Sequence, residues 1–246
     1  MSVKLSLRAN PPRSAEAKGI RPIAADSLSE RVADQIVEAI GNGRLLAGQR
    51  LYEIEVAKQF AISRVPVREA LLVLQSQGVL RSTPRRGTHV IDLDENWARE
   101  VYETRTALET RCSQRAALVL RADPRALEVL DSHITTLQEA CRSRNKPEIN
   151  RADLAFHSAV YDLAGSPLLL TLWNAMSRHV MILFGIETYG HSDLDGIVEE
   201  HVELRRVLLE ETAAGIADGV ARHVIGPFDS KMIAERTQET AFERQQ

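Results

Sequence analysis

Residues 53 to 91, EIEVAKQFAISRVPVREALLVLQSQGVLRSTPRRGTHVI, constrain the fold more than any other part of the chain. They spell a helix, a tight turn, a second helix with arginines near its start, and a basic hairpin, the order of a winged helix-turn-helix. Ser63 is placed to cap the second helix, and Pro66 sits in its first turn, where a missing N–H costs nothing. Ala70, Leu71 and Leu74 supply the buried stripe, which leaves Ser63, Arg64, Val65 and Arg68 on the outer faces. Gly78 ends the helix, and two short strands follow around Pro84, Arg85, Arg86 and Gly87. A duplex major groove admits one α-helix, and Arg can present two parallel donors to guanine O6 and N7. The pattern therefore predicts double-stranded DNA as a partner, read by Arg64 and Arg68 and braced on phosphate or minor groove by the wing tip. One arginine alone reads as a solvated charge; five on one motif (64, 68, 81, 85 and 86) do not.

Charge divides the chain at the same place. Residues 1 to 92 hold 14 Lys and Arg against 9 Asp and Glu, while the remainder holds 17 against 25, so a net −3 conceals a basic front and an acidic back. A phosphate-binding module followed by a different one is expected. Residues 1 to 25 carry no apolar period and read as a mobile tail. Ser27 and Glu30 make a capping box before Leu28, Val32, Ile36 and Ile40, and Gly41 and Gly43 stop that helix. Cys112 and Cys141 lack a CxxC spacing and read as reduced, buried thiols in a cytoplasmic protein. The longest apolar runs, such as LLLTLW at 168 to 173, fall short of the roughly 18 to 20 residues a bilayer demands, so no membrane segment is expected.

The acidic half reads as helical almost throughout. Trp97, Val101, Arg105, Leu108 and Cys112 mark one face of a long helix from Asp94 to about Ala122. Asp123-Pro124 caps the next, with Leu127, Leu130, Ile134, Leu137 and Cys141 as its stripe. Pro147, Ser166-Pro167, Asp193 and Thr212 open four more. Short polar connections between them predict an antiparallel bundle. Asp153 and His157 lie at i, i+4 and project from one helix face. His201 stands on the fifth of these helices and His223 on the sixth, and facing helices of a bundle are where such side chains converge on a metal. His89, His133, His179 and His191 read as ordinary satisfied or exposed side chains. Three imidazoles and one carboxylate suit a divalent transition metal, zinc first, with Ni, Fe, Co or Mn also compatible, and without a thiolate the set does not resemble a closed structural site. Glu200 and Glu203 are the candidates to orient the His rings. Arg105 faces inward and suits either an effector carboxylate or an ion pair with Glu109.

These residues carry a resemblance. GRLLAGQRL, SRVPVREAL at 63 to 71 and the Gly-containing wing resemble the DNA-binding domain of the GntR family of bacterial transcriptional regulators. In that family the positions matching Arg64 and Arg68 contact bases or adjacent phosphates, and the wing-tip glycine, here Gly87, enters or lines the minor groove. Some members carry an arginine on the second helix where this chain has Ile54, and that contact is absent here. Residues 97 to 236 resemble the effector domain of the FadR subgroup, the FCD type: ETRTALE at 103 to 109, DLAFH at 153 to 157, then Glu200-His201 and His223. The resemblance implies a metal held by Asp153, His157, His201 and His223, with a small carboxylate as effector.

The expected protein is mainly α: a winged helix-turn-helix at 26 to 92, then a metal- and effector-binding, dimerising all-α antiparallel bundle at 93 to 240. It reads as a ligand-responsive regulator, a homodimer on a short inverted repeat, with no catalytic residues. Two other readings stand beside it. In one the metal is purely structural and the protein an unliganded repressor. In the other an open metal position activates water and the chain is a hydrolase fused to a DNA reader.

Overall fold

A computed structural model describes residues 28–190 and 194–225. The tail at 1 to 25, the Ser27 capping box, Asp193 as a helix start, and the end of the second domain to 240 all lie outside those residues. The described part begins with α1 (Leu28–Gly41), β1 (Arg50–Leu51), α2 (Glu53–Phe60), α3 (Arg64–Ser76), β2 (Leu80–Thr83) and β3 (Gly87–Val90). It continues with α4 (Glu95–Ala122), α5 (Pro124–Ser143), α6 (Lys146–Leu163), α7 (Pro167–Gly190), α8 (Asp195–Glu210) and α9 (Ala213–Ile225). The fold is a winged helix-turn-helix followed by a helical bundle.

Local chemistry sets the helix ends. Asp94 accepts from the Trp97 amide at 2.8 Å, Asp123 from Arg125 at 2.9 Å, and the Thr212 hydroxyl from Gly215 at 3.2 Å, each satisfying one of the orphan donors of a helix start. Asn145 rather than Pro147 caps α6, and Pro147 follows inside the first turn. Ser63 departs from expectation: it occupies the cap position of α3 with extended backbone, but its side chain accepts no capping bond. The segment LLAGQRL ends in β1, because Arg50 and Leu51 pair with His89 and Thr88. The sheet order is β1-β3-β2, antiparallel throughout, so the wing is a three-stranded sheet rather than a hairpin alone.

Two main cores form. Val32, Ile36, Ile40, Val67, Leu71, Leu74, Leu80 and Val90 fill the winged unit, and Ile182 and Ile186 from α7 pack into the same cluster. Phe156, Val160, Trp173, Val180, Leu183, Leu204 and Val220 fill the bundle, where α4 lies against α6, α7, α8 and α9. Helix α7 therefore serves both cores, with Ile182 turned to one and Leu183 to the other. This corrects one expectation. Pro167–Tyr189 is apolar and long enough to cross a bilayer by length and composition, with mean hydropathy 1.3. Its Trp173, Val180, Ile182 and Leu183 are at most 1% exposed, and that burial makes α7 a shared core helix.

The α1–α7 crossing depends on two glycines. A Cβ on Gly185 would stand 2.6 Å from the Gly41 Cα, against backbone that cannot rotate away. Gly185→Ala is expected to cost about 1 to 3 kcal/mol, the usual range for overpacking a tight interior. Denaturant titration checks this; a change below about 0.5 kcal/mol would show the crossing to be loose.

Candidate metal centre and nucleic-acid interface

The four residues singled out in the bundle are brought together. His157 and Asp153 come from α6, His201 from α8 and His223 from α9, and the imidazoles offer ring nitrogens within 4.8 Å of one another. Asp153 Oδ1 lies 3.1 Å from His201 Nε2 and 3.4 Å from His157 Nε2, and His223 Nε2 lies 3.2 Å from His157 Nε2. Phe156 meets the His157 and His201 rings edge-on at 5.5 and 4.8 Å, forming an apolar wall.

The hydrogen bonds at the other ring nitrogens decide what faces inward. His201 Nδ1 lies 2.7 Å from the Ile197 carbonyl and must donate to it, while His157 Nδ1 lies 3.0 Å from Glu109 and donates there. Neutral rings so held turn their Nε2 lone pairs to the centre. The His201 and His157 Nε2 atoms and the Asp153 Oδ1 then lie together at the centre; Arg105 already donates to His157 Nε2 at 2.8 Å, and a bound cation would be shared by the set. His223 Nδ1 is buried and has no partner. The donor set fits a divalent transition metal: three imidazoles, one carboxylate and no thiolate.

Electrostatics follows the same geometry. Burial works against charge on Asp153, but His201 and His157 outweigh it and hold the carboxyl well below its usual range. Burial together with the neighbouring His201 and His157 drives His223 well below the ordinary imidazole value, so its ring is neutral and able to ligate. For His157 burial opposes protonation, yet the Glu109 carboxylate overcomes it and raises the pKa.

Of the two carboxylates expected to orient the rings, Glu203 is engaged elsewhere, as an exposed partner of Arg206 at 2.7 Å. The orienting group is Glu109, which is buried, ion-paired to Arg105 Nε at 2.6 Å and bonded to His157 Nδ1. Its place at i+4 from inward-facing Arg105 was the available signal. Arg105 is 3% exposed and makes the internal pair rather than standing free; its second arm reaches His157 Nε2 at 2.8 Å, at the centre itself. Its guanidinium also lies over the Phe184 ring, 4.8 Å from the centroid.

Tyr102 and Glu187 extend this polar cluster, the phenol donating to the carboxylate. Burial pushes the Glu187 carboxyl up to about 7. A carboxyl raised in the folded state above its unfolded value weakens the fold as pH climbs from about 4.5 through 7. Glu187→Gln in metal-free protein is thus expected to raise the melting temperature at pH 8 more than at pH 5. Equal shifts at the two values would mean the charge carries no penalty.

At the other end of the chain, Ser63, Arg64, Val65 and Arg68 are all exposed at the front of α3, and Val65 keeps 64% of its surface. Both guanidiniums are engaged. Arg68 makes a two-pronged pair with Glu53 at 3.0 and 2.9 Å, and Arg64 reaches the same carboxylate at 3.3 Å. Glu53 therefore presets both arginines side by side. Arg85 and Arg86 are exposed at the wing tip, and Arg85 adopts φ 65° there. Gly87, with φ 89°, lets Arg50 lie across the wing: a Cβ on it would meet Arg50 Nε at 2.8 Å. Arg50 is a further exposed cation on this surface, and only the pairing of β1 with β3 brings it there. Arg81 pairs with Asp92 at 2.9 Å.

Comparison with known proteins agrees with both halves. Residues 28–90 match the model of bacterial regulatory proteins of the gntR family, and residues 100–226 match the FCD domain. The "Probable D-xylose utilization operon transcriptional repressor" of Paenarthrobacter nicotinovorans is 31% identical over 199 residues, spanning 81% of this chain and 84% of the relative. The chain belongs to the GntR family. It is a transcriptional regulator with an FCD domain, and the families and relatives it matches are regulators rather than enzymes. The HTH-type transcriptional regulator McbR of Escherichia coli is 27% identical over 212 residues, covering 85% of this chain and 92% of McbR. The solved E. coli McbR/YncC structure shares the fold with a TM-score of 0.66, covering 87% of this chain and 99% of that one at 24% identity.

Proposed function

We propose that this regulator is controlled by a small carboxylate that binds beside a divalent metal held by Asp153, His157, His201 and His223. The observation that carries the reading is the convergence of the His157 and His201 Nε2 atoms on the Asp153 carboxylate, with His223 Nε2 3.2 Å from His157 Nε2, a donor set that suits a cation. A bound metal would supply a Lewis-acidic centre for an anionic ligand. Arg105, which holds Glu109 through Nε and reaches His157 Nε2, is the cation proposed to meet an effector carboxylate at the centre. Zinc is the first expectation, with Ni, Fe, Co or Mn also suited to the donors.

The DNA partner is proposed to be a short inverted repeat read by a homodimer, with Ser63, Arg64, Val65 and Arg68 at the bases and Arg85, Arg86 and Gly87 at the backbone or minor groove. Leu168 and Leu172 on α7 and Leu118 on α4 keep 69%, 41% and 69% of their surface exposed and are apolar side chains that a second copy would cover. The proposed units are a reading domain at 26 to 92 and a regulatory domain at 93 to 240, in the cytoplasm of a bacterium. Effector binding shifts the packing of the bundle and thereby the placement of the two reading heads.

The test combines metal analysis of purified protein with thermal melting against a panel of di- and hydroxycarboxylates and operator titration with and without the acid that shifts melting. Metal bound at one per chain and an acid that alters both melting and DNA affinity are expected. Bound metal with no acid altering either would assign the metal a structural role. At the wing, Arg86→Ala is expected to lower affinity for all sequences and to reduce the salt slope by about one. An unchanged slope would take the wing tip off the phosphates.

A further inference from the structure

One histidine outside the metal centre joins three helices. Trp97 Nε1 on α4 donates to His179 Nδ1 at 3.1 Å, so the proton of this α7 ring is on Nε2, which donates to the Gln77 carbonyl at 2.8 Å. Gln77 is the residue that caps the C-terminal end of the recognition helix α3. Burial lowers the His179 pKa against the pull of that carbonyl, in keeping with a neutral ring. Arg178, next to it, donates to the Gln77 side chain at 2.7 Å and pairs with Glu30 and Asp34 of α1. The Gln77 amide in turn donates to the Asn174 carbonyl of α7 at 3.4 Å.

The same helix reaches the metal centre little more than one turn later. Phe184 lies 6.2 Å from the His157 ring and under the Arg105 guanidinium, and Glu187 accepts from Tyr102. Between these points Ile182, Gly185 and Ile186 pack against α1 and the winged core. Helix α7 is thus hydrogen-bonded to the end of the recognition helix through His179 and packed on the His157–Arg105 pair through Phe184, and a helix moves as a unit over so short a span.

We infer that His179 is a positioning residue that latches the end of the recognition helix to the regulatory bundle, so that the state of the metal centre reaches the DNA-reading helix through α7. The signalling part rests on the metal reading above; the latch itself does not. Either hydrogen bond alone would hold one pair of helices. Together they couple α3, α4 and α7 at one ring, and the orientation of α3 is what sets Arg64 and Arg68 in the groove.

The test is amide hydrogen exchange on the full chain as wild type, His179→Leu, His179→Gln and Trp97→Phe, each stripped of metal and each exposed to Zn²⁺, with bound zinc measured alongside. Leu keeps apolar volume and deletes both bonds, whereas Gln offers a carbonyl to Trp97 and an amide to Gln77. In metal-free protein, exchange at Gly78 and Val79 is expected to rise roughly tenfold in His179→Leu, to rise a few-fold in Trp97→Phe, and to return to within about twofold of wild type in His179→Gln. No acceleration at Gly78 and Val79 in Trp97→Phe overturns the latch even if His179→Leu fails to fold, and so does a Gln variant as fast as the Leu variant. In wild type, zinc is expected to change exchange at Gly78 and Val79, and this response is expected to vanish in His179→Leu and reappear in His179→Gln. Zinc that binds without reaching Gly78 and Val79, or that reaches them equally in His179→Leu, overturns the signalling role. Failure to take up zinc sinks the metal reading and the signal with it, while the metal-free comparison still decides the latch.

Discussion

His201→Ala is expected to lower metal affinity by more than the roughly 10- to 100-fold that loss of an outer hydrogen-bond partner costs, because it deletes an inward-facing ring nitrogen. The side chain is 2% exposed, its Nδ1 anchored on the Ile197 carbonyl and its Nε2 aimed at Asp153. Its removal also leaves the buried Asp153 carboxylate without the ring nitrogen 3.1 Å from its Oδ1, so some loss of bundle stability accompanies the loss of metal. Response to the effector is expected to fall further than DNA affinity does, as the winged core contains no residue of α8. Metal analysis, melting and operator titration on His157→Ala, His201→Ala and His223→Ala decide the matter. If all three variants keep one metal per chain, the four-residue site is wrong.

Arg68→Ala is expected to weaken operator binding by about 1 to 3 kcal/mol, the worth of a bidentate base contact, and to relax specificity at one base pair. The residue is exposed and the stripe formed by Val67, Ala70, Leu71 and Leu74 is untouched, so folding and dimerisation are expected to persist. In the absence of DNA the guanidinium is held by Glu53, whose carboxyl the Arg68 bond lowers from its ordinary value. A base contact by Arg68 would exchange that partner for guanine, and the exposed ion pair given up is weak. Titration against operator and random DNA distinguishes the roles: equal losses on both would make Arg68 a phosphate contact.

Much of the fold was legible because each unit announces itself over a few consecutive residues. The helix-turn-helix follows from Ser63, Pro66 and the Ala70–Leu71–Leu74 stripe, and the four metal candidates from an i, i+4 pair and two later histidines. What stayed illegible is contact between residues far apart in sequence. Strand β1 is only two residues long, and its identity comes from pairing with His89 and Thr88 rather than from its own composition. His179 was read as an ordinary histidine and satisfies both ring nitrogens, as such residues do, but with Trp97 82 positions away and Gln77 102 away.

The amino-acid sequence by itself determined the helices, the basic front half and the inward direction of Arg105 and of the Asp153–His157 pair, since these depend on periodicity, capping and charge within a turn or two of chain. Only the tertiary structure decided which carboxylate orients His157, that Arg105 is committed to Glu109, that Glu53 presets both arginines, and that α7 belongs to two cores at once. Burial and partner choice are properties of packed surfaces, and an apolar helix of membrane length becomes a core helix only when α1, α4 and α6 close around it.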